Sequence, residues 1–244
     1  IRRWNRTQDE TDPEFRKHVY AGFELAKDTL DPSATACILH HHQRFDGLGF
    51  PKRLTIDDTE APVIGRDIHI FARIVAAADW YDRLRNPPNS ANEADDPSAR
   101  VPAVRALRRI RDDTRRLDPV VRTALFSVVP PYAPGTMVTL SDGQQAVVTD
   151  WSCSDPCRPT VAPILDIAAG VKAARRKVAD PVQIDLRKAP NLSIVIADGQ
   201  DVAADNFYPR HPHEFDILAL SETFQNRASE LRAAEDFKID PRAA

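Results

Sequence analysis

The stretch at residues 38–51 constrains the fold most, because it reads I-L-H-H-H-Q-R-F-D-G-L-G-F-P. Its apolar, helix-compatible beginning leads into three consecutive histidines, and these run directly into a turn rich in glycine and proline. Glycine permits backbone conformations that other residues avoid, and proline fixes one backbone angle, so the turn has a restricted geometry. Imidazole is a common metal ligand, and the stretch therefore predicts the edge of a metal site. A solvated histidine tract is the alternative that this stretch alone leaves open.

The composition is that of a globular chain, because 42% of the 244 residues are hydrophobic and can form a substantial core. The formal net charge of -3 gives no reason to expect binding to a nucleic acid polymer or to an anionic membrane. The arginines within residues 105–116 form a locally basic helix, which we interpret as a solvated face. No apolar run approaches the roughly 20 residues of a transmembrane helix, and no hydrophobic signal core follows Ile1. We therefore expect a cytoplasmic segment without membrane contact.

The chain begins with Ile1 rather than methionine, and no helix start or turn precedes Trp4. We therefore expect that it is part of a longer protein, which could carry membrane or sensor parts. The odd set of Cys37, Cys153 and Cys157 matches neither a disulfide framework nor a paired zinc motif. The cysteines are thus not predicted to be ligands.

Helix signals dominate the chain up to about residue 128. Asp12, Asp31 and Asp67 are predicted helix caps, because an aspartate before an apolar periodic segment favours a helix start. The predicted helices cover residues 12–29, 31–42, 68–84, 100–113 and 118–128. In the third of these, the alternating spacing of three and four predicts buried side chains at Ile70, Phe71, Ile74, Val75 and Ala78.

Asp79 directly follows three alanines at positions 76–78 of the third predicted helix. Small residues permit close helix packing, and a carboxylate in such packing needs a partner. An arginine, either Arg73 or Arg83, is one candidate partner, and a metal ion is the other. The residues by themselves leave both open.

At Pro130 and Pro131 the periodicity changes, since a proline pair disfavours helix continuation. A Ser-Asp-Gly turn at residues 141–143 separates β-like runs at 136–140 and 145–149, and further runs lie at 160–165, 182–186 and 192–196. An amphipathic terminal helix is predicted at residues 213–237. We therefore predict a mainly α fold, with a helical bundle at residues 1–129, a small separate antiparallel β-rich module at 130–200 and a C-terminal helical segment at 201–244.

Three motifs, taken in order, carry a resemblance to a known family. Lys17-His18 with Gly22 corresponds to a K-H-x-x-x-G-like segment, residues 41–51 to H-H-E-x-x-D-G-x-G-Y-P, and residues 72–82 to an A-R-I…A-D-x-Y-D helix. Over roughly residues 10–130 the chain thus resembles the HD-GYP family of metal-dependent phosphohydrolases, best known as bacterial cyclic di-GMP phosphodiesterases. The resemblance implies an HD-type helical bundle for this part of the chain.

The resemblance also implies a site for divalent metal ions. Its metal ligands would be His18, His41, His42 and Asp79, with Asp79 bridging two ions and Asp46 joining it as a catalytic residue. The rim or substrate contacts would be Gly47, Gly49, Phe50, Pro51, Arg73 and Asp82. Imidazole and carboxylate ligands suit iron or manganese, which we favour, as well as zinc or nickel, and the intact site would hold two or three ions.

Several positions depart from the family pattern. The eponymous His-Asp dyad, an upstream glutamate and histidine, and a lysine after the dyad would lie before Ile1. Gln43 replaces a glutamate, Phe50 replaces a tyrosine, and residues 85–88 replace an R-P-Y-R-like phosphate contact. The β-rich stretch looks like a C-terminal extension found in some members. Because part of the ligand set is missing from the chain, we expect very low turnover from these 244 residues alone.

The function implied by the resemblance is hydrolysis of a cyclic dinucleotide, with cyclic di-GMP cut to linear pGpG or GMP in bacterial second-messenger signalling. A second hypothesis is a catalytically degenerate module that binds signalling proteins through the Gly-Phe-Pro surface at residues 49–51. A third is a different phosphohydrolase on the same helical scaffold. A homodimer is compatible with each hypothesis, and the sequence leaves the oligomeric state open.

Overall fold

Helices form where the sequence signals predict them. The computed structural model of the chain describes residues 9–87, 100–164 and 183–222. Its α-helices with defined bounds are α1 (Pro13–Ala26), α2 (Pro32–His40), α3 (Ile70–Arg85), α4 (Ala103–Asp112) and α5 (Pro119–Val128). Each coincides with a predicted helix, although the ends differ by a few residues. In the described part of the chain, no helix combines the length and the apolar character needed to cross a membrane.

Aspartates begin most of these helices, as the sequence predicts. Asp12 and Asp31 each accept a hydrogen bond from the backbone N–H two positions further on, and a proline occupies the first turn of each helix. Asp118 caps α5 in the same way. The predicted cap at Asp67 is wrong, because this residue lies in the 3-10 turn Gly65–Asp67 and the side chain of His69 caps α3 instead.

The predicted buried face of α3 is also wrong. Its buried residues are Ala72, Ala76 and Ala77, and the large side chains at its C-terminal end, Trp80, Tyr81 and Leu84, are partly buried against the core. The residues predicted to be buried but found exposed are Ile70, Phe71, Ile74, Val75 and Ala78. Ala77 belongs to the main core, and Ala72 lies in a smaller buried cluster against which Cys37 of α2 packs. Small side chains allow neighbouring elements to approach closely. Spacing alone identified an apolar helix but did not identify which of its apolar faces is buried.

Antiparallel strands follow the helices. The six-stranded sheet consists of β3 (Met137–Leu140), β4 (Gln145–Asp150), β5 (Thr160–Pro163), β6 (Ile184–Asp185), β7 (Ile194–Ala197) and β8 (Gln200–Asp201), and it follows a short earlier pair, β1 (Arg53–Leu54) and β2 (Glu60–Ala61). The strand order in the large sheet is β6-β5-β4-β3-β7-β8, with all neighbours antiparallel. The predicted hairpin is confirmed, since β3 and β4 pair with Val138 opposite Ala146.

One hydrophobic core joins the sheet to the helices. It contains Leu107 from α4 and Phe126 from α5 together with Leu140, Val161 and Ile194 from the sheet, all of them buried. The domain boundaries at 129/130 and 200/201 stay predictions, and the shared core means that the described sheet packs on the helices. Of the terminal helix predicted at residues 213–237, residues 217–222 are helical, whereas residues 213–215 form a turn, so the predicted start is wrong; residues 223–237 lie outside the described residues.

The basic helix α4 is a solvated face only in part: Arg109 is exposed, but the interpretation is wrong for two other arginines, which pair with carboxylates. Arg105 pairs with Asp205 at 2.8 Å, and Arg111 pairs with Glu214 at 2.9 Å. Both carboxylates lie in the segment that follows the sheet. The basic helix therefore holds this later segment against the helical bundle, a long-range pairing that charge patterning cannot reveal.

Candidate metal centre

Three histidines from two segments of the chain converge in the helical part. His18 lies within α1, His41 follows the last residue of α2, and His42 comes next in the chain. The Nε2 atom of His18 lies 3.2 Å from Nε2 of His41 and 3.1 Å from Nε2 of His42. One nitrogen from each ring falls in a single group within 4.8 Å. No sheet residue belongs to this group among the described residues.

Backbone carbonyls orient two of the three rings. Nδ1 of His41 lies 2.8 Å from the carbonyl oxygen of Ile38, and Nδ1 of His18 contacts the carbonyl oxygen of Phe15. A carbonyl oxygen only accepts hydrogen bonds, so Nδ1 carries the proton in both rings when they are neutral. The Nε2 atoms of His18 and His41 therefore present lone pairs to the cluster. This is the arrangement in which metal-binding histidines are usually fixed.

Burial keeps His41 and His42 in the neutral form that binds metal ions. It lowers the pKa of His41, and burial together with the neighbouring rings and arginines lowers the pKa of His42 to about 2. Phe50 covers one side of His42, with ring centroids 4.7 Å apart and planes 21° apart. His41 and His42 are therefore neutral imidazoles in a partly water-excluded place.

The donor set fits a divalent metal ion. Two bare nitrogens 3.2 Å apart repel each other unless a proton or a cation lies between them, and His18 and His41 form such a pair. Nitrogens that share one ion at about 2.1 Å each are separated by little more than 3 Å. Imidazole donors suit iron, manganese, zinc and nickel, and the nitrogens themselves do not select one of these metals.

Asp79 lies at the edge of the cluster and not within the nitrogen trio. Its Oδ2 atom is 3.6 Å from Nδ1 of His42 and 3.5 Å from Nη1 of Arg83. Burial raises the pKa of the Asp79 carboxyl, and the nearby Arg83 opposes this shift. The sequence left an arginine and a metal ion open as partners of Asp79, and the structure shows the contact with an arginine, Arg83. Its role as a metal ligand stays a prediction.

The turn at residues 46–51 is shaped by its glycines. Gly47 has a φ of 78°, a left-handed conformation that other residues rarely adopt. A Cβ atom at Gly49 would overlap the backbone of residues 42–44, so this position must be glycine for the turn to close over the histidines. Gln43 donates to the carbonyl oxygen of Pro51, which ties the turn to the start of the motif. The turn places Phe50 on His42.

Three predicted site residues make structural contacts instead of contacts to the histidines. The Asp46 carboxylate binds Arg44 with two hydrogen bonds and accepts from a backbone N–H within the turn. Arg73 pairs with Asp118, the cap of α5, and Asp82 accepts from a side-chain amide at the end of α3. Their predicted catalytic and rim roles stay predictions, and these contacts give each residue a structural reason to be present.

Sequence reasoning missed two charged residues beside the cluster. Glu10 places Oε1 3.7 Å from Nδ1 of His42 and also binds Arg83 and Arg116. The guanidinium of Arg116 lies 4.7 Å above the ring of Trp80 on α3. Glu10 comes from the start of the described chain and Arg116 from the α4–α5 loop. No spacing rule links them, so the sequence carries no signal for their meeting.

Comparisons with known proteins agree with the motifs. Residues 2–84 match the HD domain family. The chain is similar to a cyclic di-GMP phosphodiesterase of Pseudomonas aeruginosa, with 30% identity over 193 residues that make up 76% of this chain. The chain spans 41% of the length of that relative. No solved structure matches the chain. The resemblance that the motifs carry is thereby confirmed, and the match identifies an HD domain in the helical part of the chain.

Proposed function

We propose that the protein is a metal-dependent phosphohydrolase that cleaves the phosphodiester bonds of a cyclic dinucleotide, with cyclic di-GMP as the preferred substrate and linear pGpG or GMP as the product. The observation that carries this proposal is the convergence of three Nε2 atoms at 3.1 and 3.2 Å, two of which, on His18 and His41, present lone pairs to one point. The name of the Pseudomonas relative supports the choice of substrate. Because the chain spans less than half of that relative, the activity is proposed for the whole protein.

The residues at the cluster have distinct tasks in this proposal. His18, His41 and His42 would hold a divalent ion, and Asp79 would complete its ligands. A bound ion would supply a water molecule that ionises near neutral pH, and the ion itself would neutralise charge on the phosphate. Phe50 excludes water from one side of His42. Iron or manganese is the proposed metal, and two ions would be needed to clamp both the attacking and the leaving oxygen.

The test is hydrolysis of cyclic di-GMP by the full-length natural protein loaded with manganese or iron. We expect metal-dependent release of pGpG or GMP, detected by liquid chromatography, and loss of this release in His41→Ala or Asp79→Ala. His213→Ala is the matched control, since His213 is exposed and lies outside the cluster, and it should keep full activity. The 244-residue chain alone should turn over much more slowly.

A metal-loaded full-length protein that leaves cyclic di-GMP and related cyclic dinucleotides intact would contradict the enzymatic proposal. Hydrolysis of other phosphodiesters in a substrate screen would then indicate a different phosphohydrolase on the same scaffold.

One observation favours a second candidate, a catalytically degenerate module with a regulatory role. Asp79, the proposed bridging ligand, contacts Arg83 and lies outside the nitrogen trio. In this case the surface at residues 49–51 would bind signalling proteins without turnover. Pull-down by the intact domain of a partner that the Phe50→Ala variant fails to bind, together with absent hydrolysis, would support this candidate.

A further inference from the structure

A single carboxylate oxygen joins two arginines beside the histidine cluster. Oε1 of Glu10 accepts from Nη1 of Arg83 and, at 2.9 Å, from Nη2 of Arg116. The two guanidiniums come from α3 and from the loop between α4 and α5, so they are far apart in the chain. Guanidinium groups that converge on one anionic oxygen form the arrangement that proteins use to bind phosphate oxygens.

This anionic oxygen is next to the candidate metal centre. The same Oε1 atom lies 3.7 Å from Nδ1 of His42, whose other nitrogen faces His18. An anion held by the two arginines is therefore separated from the nitrogen trio by one imidazole ring. A phosphodiester bound here would have its neighbouring atoms within reach of an ion in the cluster.

The two arginines are held by contacts that do not involve Glu10. Arg116 stacks over Trp80, and its carbonyl oxygen accepts the backbone N–H of Phe45 at 2.8 Å. Arg83 lies on α3 and also pairs with Asp79. Both guanidinium side chains are largely buried, with 16% and 15% exposure for Arg83 and Arg116. They would thus keep their places if the Glu10 carboxylate moved away.

Exchanging the Glu10 carboxylate for a phosphodiester would also keep the local charge in balance. Arg83 and Arg116 face the carboxylates of Glu10 and Asp79, so the described ion-pair group carries two positive and two negative charges. A phosphodiester carries one negative charge, as a carboxylate does, and replacing Glu10 by a phosphodiester leaves the total unchanged. Glu10 precedes the first residue of α1, so its side chain can turn away without unwinding the helix.

We propose that Arg83 and Arg116 form the phosphate-binding pair of this protein and that Glu10 occupies their shared anion position in the absence of substrate. This inference rests on the proposed function for the identity of the ligand, a cyclic dinucleotide phosphodiester. It supplies the phosphate contact that residues 85–88 lack relative to the family pattern. Glu10 is then a competing internal anion that substrate displaces.

Isothermal titration calorimetry of cyclic di-GMP binding to the full-length protein tests whether Arg83 and Arg116 bind the phosphate. It is carried out first with a chelator and again with manganese. Arg83→Gln and Arg116→Gln should each weaken binding roughly 10-fold or more, since each removes a charge-assisted hydrogen bond. Glu10→Gln should tighten binding roughly 3- to 10-fold by removing the competing charge. Arg105→Gln is the matched control, because Arg105 is a partly buried, carboxylate-paired arginine outside the site, and it should leave affinity unchanged.

Thermal unfolding of each variant shows whether the fold is intact, and Arg83→Lys serves if Arg83→Gln fails to fold, because it keeps the charge and loses the forked geometry. The proposal would be overturned if both arginine variants bind cyclic di-GMP with unchanged affinity. It would also be overturned if Glu10→Gln lowers the unfolding temperature without tightening binding. Glu10, Arg83 and Arg116 would then form a purely structural link. A wild-type protein that binds neither cyclic di-GMP nor inorganic phosphate would also overturn it. Weakened binding in the arginine variants without any hydrolysis by the wild type would instead uphold the pair while the proposed enzymatic function fails.

Discussion

Replacing Asp118 separates its two structural tasks and tests whether Arg73 belongs to the fold or to the substrate rim. One carboxylate oxygen of Asp118 caps α5 by accepting the backbone N–H of Val120 at 2.7 Å, and the other binds Arg73 on α3. The side chain of Asp118 is 5% exposed and that of Arg73 is 15% exposed. Asp118→Asn retains a capping oxygen but loses the charge, whereas Asp118→Ala loses both the cap and the charge.

The structure sets the expected magnitudes. Removing one partner of a buried ion pair costs about 3–5 kcal/mol when the other charge stays fully buried, and the partial exposure of Arg73 reduces this to about 2–3 kcal/mol for Asp118→Asn. Loss of the cap adds about 1 kcal/mol for Asp118→Ala. For a chain of this size, these changes lower the unfolding temperature by about 4–12 °C for Asp118→Asn, with a further drop for Asp118→Ala.

Urea unfolding followed by circular dichroism measures these free energies, and Asp142→Asn is a control because Asp142 is an exposed turn residue. If Asp118→Asn unfolds at the same urea concentration as the wild type, the Arg73–Asp118 pair does not stabilise the fold. Arg73 would then be available for the substrate rim that the sequence predicts.

Three further outcomes follow from the geometry. Gly49→Ala should lower the free energy of unfolding by about 3 kcal/mol or more, since the added Cβ atom meets backbone atoms. Gly143→Ala adds a Cβ atom that meets no neighbour, so it should lower this free energy by only about 1–2 kcal/mol, because of the positive φ of Gly143. Urea unfolding measures both losses, and equal losses would contradict the steric argument. Manganese at a hundred times its Kd should stabilise the chain by about 2.7 kcal/mol, a gain visible as a higher unfolding temperature that is absent in His18→Ala. Burial raises the pKa of Glu214, but Arg111 and Arg210 outweigh this effect and hold the pKa below its usual value. The Arg111–Glu214 pair therefore stabilises the fold above the usual glutamate pKa, and this stabilisation is lost as the pH falls. Glu214→Gln should make the free energy of unfolding depend less on pH on the acid side, and an unchanged pH dependence would contradict the role of this pair.

The histidine cluster could be predicted because its members lie in short motifs at helix ends. His41 and His42 are adjacent at the end of a helix whose start is marked by Asp31 and a proline. The motif order then singles out His18 in the preceding helix. Local signals of this kind, such as caps, turns and short apolar runs, indicate approximately where elements lie, so the helices and the β3–β4 hairpin were also predictable to within a few residues.

The charged surroundings of the cluster could not be predicted, because they depend on how elements pack. Glu10, Arg83 and Arg116 meet only after α3 and the α4–α5 loop are placed beside α1. The buried side of α3 was misjudged for the same reason, since both faces of this helix carry apolar residues. Its alanine face is buried because it permits the closer approach. The role of Arg73 likewise depends on a partner 45 positions away.

X-ray absorption spectroscopy of the zinc-loaded chain tests the central claim most directly, because it counts the imidazoles bound to the metal and measures their distances. The geometry predicts one ion with three imidazole nitrogens at about 2.0–2.1 Å, with one imidazole fewer in His18→Ala and no change in His213→Ala. A spectrum without imidazole scattering, or one that His18→Ala leaves unchanged, would show that these histidines do not form a metal centre.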